Sequence, residues 1–178
     1  MRPLILAATL ISAPMLALAV GSDSDTPPTP TDTTKTCTDG KVWDADTKSC
    51  IEPSDSSLND NDRMNAVREL AYAGRIGDAE RVLDAMTDQT ADGVLTYRGF
   101  TARKAGRTEE AYDWYAKALE TNPDNLLARS YLGQAHVAAG NIVLARAELS
   151  EIRQRGGRST WAEISLRMAI ESGKGSSY

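Results

Sequence analysis

The sequence has few of the residues on which most catalytic and metal sites depend. Its 178 residues include one histidine, two cysteines and one phenylalanine. A single imidazole and two thiols exclude most zinc sites and most histidine-based catalysis. Positive charge is also in the minority, because 20 basic side chains stand against 25 acidic ones. That balance excludes a generally basic nucleic-acid binder. We therefore expect no enzyme activity, no cofactor and no bound metal.

Long apolar runs are absent except near the N-terminus. Residues 4–18 form a largely apolar stretch that follows Arg2, contains Pro14 and ends in Ala17-Leu18-Ala19. A basic start, a short apolar stretch and small residues at its end are typical of a secretory signal peptide. The stretch is also shorter than the about 20 residues that a membrane-spanning helix needs. We predict a signal peptide over residues 1–19 and a periplasmic or secreted product, with an uncleaved membrane anchor as the alternative.

The acidic charge is concentrated in one part of the chain. Residues 20–62 contain three lysines and ten acidic residues, for a net charge of −7, whereas residues 63–178 have a net charge of +1. This change predicts a boundary near residue 60. Proline, threonine, serine and aspartate dominate residues 20–36. Because such a segment offers little apolar surface to bury, we predict a disordered linker there.

The two cysteines follow this linker. An exported chain with two cysteines and no third predicts a Cys37–Cys50 disulfide. Turn-forming residues lie on both sides of Lys41–Trp43, so we predict a small disulfide hairpin over residues 37–53 with Trp43 as its large apolar side chain. Asp44 and Asp46 lack the spacing of a calcium-binding loop.

The cysteine, glycine, Trp-Asp and cysteine order of this hairpin resembles small exported modules, some of them similar to chitin-binding peritrophin-type sequences. The further cysteine pairs of that family are absent. The resemblance implies an alternative function, in which Trp43 contacts an envelope glycan. The other interpretation is that the disulfide-closed hairpin is a spacer or a docking element.

From about residue 60 the apolar residues recur with helical periodicity, and glycine-containing turns separate the segments. The sequence predicts seven helices, over residues 60–73, 78–87, 93–104, 108–121, 125–139, 142–154 and 160–172. Gly156-Gly157 lies in one of the predicted turns and lacks the spacing of a phosphate-binding loop.

These helices repeat with a period of 34 residues. Gly99 aligns with Gly133 and Ala111 with Ala145, and Pro123 ends the unit to which Gly99 and Ala111 belong. The small residues allow two helices to approach closely, and Pro123 stops a helix. The chain resembles the tetratricopeptide repeat (TPR) family in this pattern. It departs from the family at Arg98, where a leucine is usual.

The resemblance implies an all-α fold, a TPR-like α-solenoid of about three helix-turn-helix repeats followed by a C-terminal capping helix. The repeats would occupy residues 60–91, 92–125 and 126–159, and the capping helix residues 160–172. The order of signal peptide, cysteine hairpin and repeats also resembles exported alphaproteobacterial TPR proteins. That likeness implies architecture and location but no activity.

In TPR arrays the first helix of each repeat lines a concave groove, and the repeat register assigns eight side chains to partner binding. They are Arg68, Tyr72, Tyr97, Phe100, Arg103, Lys104, Tyr131 and Gln134. Aromatic rings beside cations suit a protein or peptide ligand with acidic groups. The lone His136 is expected to line the core. We also consider that the acidic N-terminal segment occupies the groove, or that the chain self-associates.

Overall fold

The computed structural model describes residues 26–175, so the signal peptide predicted for residues 1–19 lies outside the described residues. Within residues 26–175 the backbone forms eight α-helices and one two-stranded antiparallel sheet. The elements are α1 (Asp32–Lys35), β1 (Val42–Asp44), β2 (Ser49–Ile51), α2 (Asp60–Tyr72), α3 (Ile76–Asp84), α4 (Asp92–Lys104), α5 (Thr108–Thr121), α6 (Leu126–Ala138), α7 (Ile142–Gln154) and α8 (Trp161–Ser172). Among these helices none has the length and apolar character needed to cross a bilayer.

The seven long helices lie where the apolar periodicity predicts them. The bounds of α5 and α7 agree with the prediction, three others differ by one residue at one end, and α6 differs by one residue at each end. The exception is α3, which begins at Ile76 rather than at Asp78 and ends at Asp84 rather than at Thr87. The backbone N–H of Thr87 donates to the Asp60 carboxylate at 3.0 Å, so it is not available to continue the helix.

The long helices stack as consecutive pairs. α2 packs with α3, α4 with α5 and α6 with α7, and α8 closes the array against α6 and α7. The predicted fold class, a helical solenoid with a capping helix, is confirmed. These helices have 9 to 14 residues, a length at which an isolated helix is marginal in water. Their stability therefore comes from burying side chains such as Leu70, Leu83 and Tyr115, which are fully inaccessible to solvent.

Small residues set the distance between neighbouring helices. A Cβ atom added at Gly99 would lie 2.6 Å from Cδ1 of Tyr115, and one at Gly133 would lie 2.6 Å from Cδ2 of Leu166. The ring of Tyr115 on α5 therefore packs directly on the backbone of α4, and Leu166 on α8 packs in the same way on α6. Each of these two glycines thus has a steric cause, with the neighbour in the same repeat at Gly99 and in the capping helix at Gly133.

Residues 31–58, hereafter the N-terminal module, contain α1 and the disulfide hairpin. The predicted Cys37–Cys50 disulfide is present, and Trp43 on β1 pairs with Cys50 on β2. The prediction of a disordered linker over residues 20–36 is wrong for residues 31–36, which form α1 and its caps. Residues 20–25 lie outside the described residues.

Glu69 on α2 is the reason that this part of the linker is ordered. Its side chain is buried, and its carboxylate accepts hydrogen bonds from the N–H and hydroxyl of Thr31 and of Thr34, at 2.5 to 3.1 Å. Burial alone would raise the pKa of Glu69, but these hydrogen bonds outweigh it and hold the pKa below the ordinary value of 4.5. The carboxylate is therefore charged at neutral pH and holds α1 against α2.

Two arginines complete the attachment of the N-terminal module. Arg75 donates to the carbonyl of Cys37 at 2.8 Å. Arg63 donates to the carbonyls of Pro53 and Asp55 at 2.7 and 3.0 Å. These backbone carbonyls have no partner in a strand or helix. A guanidinium can bind them because it carries several N–H donors. The hairpin is therefore docked on the first repeat and covers its outer end.

Replacing Gly99 by alanine should destabilise the protein by about 1–3 kcal/mol, because the new methyl group overlaps the Tyr115 ring. Gly77→Ala is the matched control, since Gly77 lies in α3 with no atom within 4 Å of the added Cβ. That change should be neutral or stabilise by about 0.5 kcal/mol. Urea unfolding followed by circular dichroism measures both. Equal stability of the two variants would contradict the close helix contact.

Candidate functional site

The inner row of the solenoid consists of the first helix of each pair. α2, α4, α6 and α8 pack side by side in this row, and we call the surface that they share the concave face. All eight residues assigned to partner binding lie on α2, α4 or α6. The repeat register therefore places them on neighbouring helices, but their exposure to solvent differs widely.

Four aromatic rings form a continuous cluster across three repeats. Phe100 stacks on Tyr72 with 5.5 Å between ring centroids and lies 4.8 Å from Tyr131. Tyr97 lies 5.9 Å from Phe100 and 6.2 Å from Tyr131. The hydroxyls of Tyr72 and Tyr131 are 2.8 Å apart. The cluster holds α2, α4 and α6 together, as expected for offset and edge contacts between rings.

Most of this cluster is buried. Phe100 and Tyr131 have no exposed surface and Tyr97 is 4% exposed, whereas Tyr72 is half-buried. The expectation that all four rings face an open groove is therefore corrected, because three of them pack between the helices of the inner row. A direct contact of these rings with a partner stays a prediction. Burial also raises the pKa of Tyr97 to about 12, so its hydroxyl stays protonated.

Gln134 is likewise buried rather than open to a ligand. Its side-chain amide donates to the hydroxyl of Ser130 at 3.2 Å and to that of Ser165 at 3.4 Å. Its carbonyl oxygen accepts from Arg103 at 3.4 Å. Gln134 therefore links α4, α6 and α8, and it fixes the position of one end of the Arg103 guanidinium. Ser165 in this network is a residue that the periodicity of the sequence did not single out.

The three cations assigned to the site remain half-buried on the concave face. The Arg103 guanidinium lies 5.5 Å from the centroid of the Phe100 ring, and the Lys104 ammonium lies 6.0 Å from it. Arg68 donates to the carbonyl of Thr26 at 2.8 Å. The first two contacts hold Arg103 and Lys104 over the Phe100 ring, where a ring face attracts positive charge, whereas Arg68 is held by the backbone at residue 26.

Arg68 and Arg103 differ from most other arginines of the structure in lacking a carboxylate partner. Nine other arginines form ion pairs with carboxylates of the described residues. Neither Arg68 nor Arg103 has a described carboxylate within 4.0 Å. The Nε atom of each is buried without a hydrogen-bond partner. The concave face thus carries two positive charges that nothing in residues 26–175 neutralises.

Lys104 adds a third positive group beside them. Burial of its ammonium lowers the pKa of Lys104, and the neighbouring Arg103 lowers it further. Both causes disfavour the charged form. An anion placed near Arg103 would have the opposite effect on this pKa.

A small cavity of about 140 Å³ opens beside Arg68 between the first helices of the three repeats. The residues that line it are Met64, Arg68, Gly93, Thr96, Tyr97, Asn125 and Leu127. Asn125 was not among the predicted site residues. Its amide donates to the Asp92 carboxylate at 2.9 Å and to the Thr96 hydroxyl at 3.0 Å, so it is rigidly placed. Its position directly before α6, typical of an N-cap, is a signal that could have identified it.

The lone histidine and the acidic side chains of the described residues form no metal-binding cluster. No group of three or more His, Cys, Asp or Glu side chains within residues 26–175 is placed to hold a metal ion. His136 is half-buried on α6, with its ring 5.2 Å from that of Tyr112. Burial lowers the pKa of His136. The structure places it as a packing residue at the edge of the core.

The stacked helix pairs and their shared inner face define an α-helical repeat protein. Residues 102–164 match the family model of the tetratricopeptide repeat. This part of the chain, from the end of α4 to the start of α8, is therefore similar to the TPR family, and the match confirms the resemblance drawn from the sequence for these residues. TPR repeats generally mediate protein–protein interactions, and the family is typically a non-catalytic scaffold. No curated protein and no solved structure matches the chain.

Replacing Arg103 by glutamine should raise the pKa of Lys104, because one of the two causes that lower it is removed. Burial remains, so the pKa should stay below the ordinary value of 10.5. An NMR titration of the lysine ε-methylene signals measures the change. Arg81→Gln is the control, since Arg81 is exposed on α3 and the variant should leave Lys104 unchanged. An identical titration in all three proteins would show that Arg103 does not act on Lys104.

Proposed function

We propose that the protein is a non-catalytic periplasmic adaptor that binds a partner protein or peptide through the concave face. The observation that carries this proposal is the pair of half-buried arginines, Arg68 and Arg103, that have no carboxylate partner among residues 26–175. A guanidinium that is partly removed from water without an anion is costly. A carboxylate supplied by a ligand would form charge-assisted hydrogen bonds with it. The ligand class is therefore a peptide segment with acidic side chains.

The surroundings of the two arginines support this class of ligand. The buried rings beneath them provide a rigid base, and Gln134 already orients the Arg103 guanidinium. Groups that are held in place before binding lose less conformational entropy when the ligand arrives. The small cavity beside Arg68 is of a size for one side chain of the ligand.

The periplasmic location rests on two features of the sequence. The first is the signal peptide predicted for residues 1–19. The second is the pair of cysteines, which form a disulfide in the structure. Disulfides persist mainly in oxidising compartments, which include the bacterial periplasm.

The test is capture of partners from a periplasmic extract by crosslinking, with the protein and an Arg68→Gln/Arg103→Gln variant side by side. A partner that contributes carboxylates should bind the variant at least about tenfold more weakly, which is the scale expected for the loss of charge-assisted contacts. The measurement is quantitative mass spectrometry of the captured proteins, followed by binding of the purified partner.

The matched control removes two positive charges elsewhere. Lys117 and Arg81 are exposed on the outer helices α5 and α3, so Arg81→Gln/Lys117→Gln should capture the same partner as the unaltered protein. Equal loss in both variants would indicate a nonspecific effect of net charge. Equal capture by all three proteins would contradict partner binding through the concave face.

A second candidate function is supported by a cleft of about 360 Å³ between the hairpin and α2. Half-buried Trp43 lines it together with the carboxylates of Asp44 and Asp62 and the amide of Asn65. An aromatic face beside a few hydrogen-bonding groups is a surface that suits a sugar ring. Under this alternative the protein associates with envelope glycan through the hairpin.

This alternative predicts that the protein sediments with insoluble peptidoglycan and that Trp43→Ala abolishes the sedimentation, because the ring that a sugar would stack on is lost. Trp114→Ala is the control, since Trp114 lies on the outer helix α5, away from the hairpin. Sedimentation that is the same for both variants, or absent for the unaltered protein, would rule out glycan binding through Trp43.

A further inference from the structure

The C-terminal end of the solenoid carries a basic groove. It lies between α7 and α8, has a volume of about 540 Å³, and is lined by Arg146, Arg153, Arg158 and Arg167, with Leu149 and Ile170 among its apolar residues. Arg153 is paired with Glu163 at 2.7 Å and Arg167 with Glu171 at 3.3 Å. Neither Arg146 nor Arg158 has a described carboxylate within 4.0 Å. The basic groove therefore has positive charge in excess.

The same two helices expose apolar side chains. Val143 and Leu144 on α7 are 82% and 49% exposed, and Met168 on α8 is 54% exposed. They are the large apolar residues that the described part of the chain leaves exposed. In a repeat array the last helix has no following unit to cover it. Exposed apolar side chains on the helices that form the basic groove are typical of a protein interaction surface.

The opposite end of the solenoid carries the complementary charge. The cleft between the hairpin and α2, here called the acidic cleft, is lined by the carboxylates of Asp44, Asp46 and Asp62, and none of the described lysines or arginines lines it. Hydrogen bonds lower the pKa of Asp44, with the largest effect from the Thr47 side chain, so the Asp44 carboxylate is charged at neutral pH. Trp43 and Leu58 add apolar surface. Like the basic groove, the acidic cleft thus combines charge of one sign with apolar contacts.

The two surfaces cannot meet within one molecule. The acidic cleft is formed by the N-terminal module and α2, and the basic groove by the last two helices, so the whole second repeat lies between them. Among residues 26–175, neither surface can therefore neutralise the other within one molecule. Charge complementarity makes a second copy of this chain the partner that fits both.

We propose that the protein associates with itself head to tail, so that the basic groove of one copy contacts the acidic cleft of the next. This inference goes beyond the proposed function and uses neither Arg68 nor Arg103. Because the two surfaces differ, each added copy leaves one acidic cleft and one basic groove open. Such a heterologous contact produces a row of molecules rather than a closed dimer.

The test is sedimentation velocity of the full chain, produced in an exporting bacterium so that export and disulfide formation take place. The mean mass should rise above that of a monomer with increasing concentration at about 20 mM salt. At about 300 mM salt the association should weaken by about tenfold, because exposed charges are screened. A monomer at every concentration in low salt would overturn the proposal.

Two variants that each neutralise one end make the test specific. Arg146→Gln/Arg158→Gln alters the basic groove. Asp44→Asn/Asp46→Asn alters the acidic cleft, and the asparagine oxygen at position 44 can still accept from the backbone N–H of residue 46. Each variant alone should be monomeric. An equimolar mixture should form a dimer and nothing larger, because only one intact groove and one intact cleft can meet.

The control variant, Asp113→Asn/Lys117→Gln, neutralises two exposed residues of α5 and should associate like the unaltered protein. Association that survives in either end variant, or a mixture that stays monomeric, would show that the contact lies elsewhere. Circular dichroism confirms that each variant is folded. Association and capture of an acidic partner are separate measurements, so the failure of one does not decide the other.

Discussion

The close approach of short helices is the constraint on which the rest of the structure depends. No helix here exceeds 14 residues in the described part, so none can be stable without a neighbour. Contact is possible because Gly99 and Gly133 leave room for Tyr115 and Leu166 directly against the backbone. These contacts join α4 to α5 within the second repeat and the capping helix α8 to α6. The helices so packed carry the aromatic cluster and the cations of the concave face.

Charged groups in this protein divide into two kinds according to how they are neutralised. Glu69 is buried but fully satisfied by four donors from the N-terminal module, so it acts as an anchor. Arg68 and Arg103 on the concave face have no carboxylate partner in the described residues. Arg146 and Arg158 in the basic groove are in the same situation. Satisfied charges hold the fold together, whereas unsatisfied ones mark surfaces where another molecule would be stabilised.

The N-terminal module shows how the two ends of the array acquire different properties. Its hairpin covers the outer end of the first repeat through hydrogen bonds to Arg63, Glu69 and Arg75. At the other end α8 covers α6 and α7 but leaves Met168 exposed. A repeat array needs both ends closed to remain soluble. Here the first end is closed by an acidic module and the second by the helix pair that forms the basic groove, so the two ends present surfaces of opposite charge.

Local patterns in the sequence determined the helices, their 34-residue repeat and the disulfide, because these depend on periodicity, turn residues and cysteine number. The same register placed the eight candidate residues on the correct helices. Only the tertiary structure decided which of them face solvent, since the burial of Phe100 and Gln134 depends on neighbouring repeats. Local sequence patterns also could not predict that residues 31–36 are ordered. Their polar composition predicts disorder, and a single buried carboxylate 35 to 38 residues further along the chain supplies the hydrogen bonds that fold them.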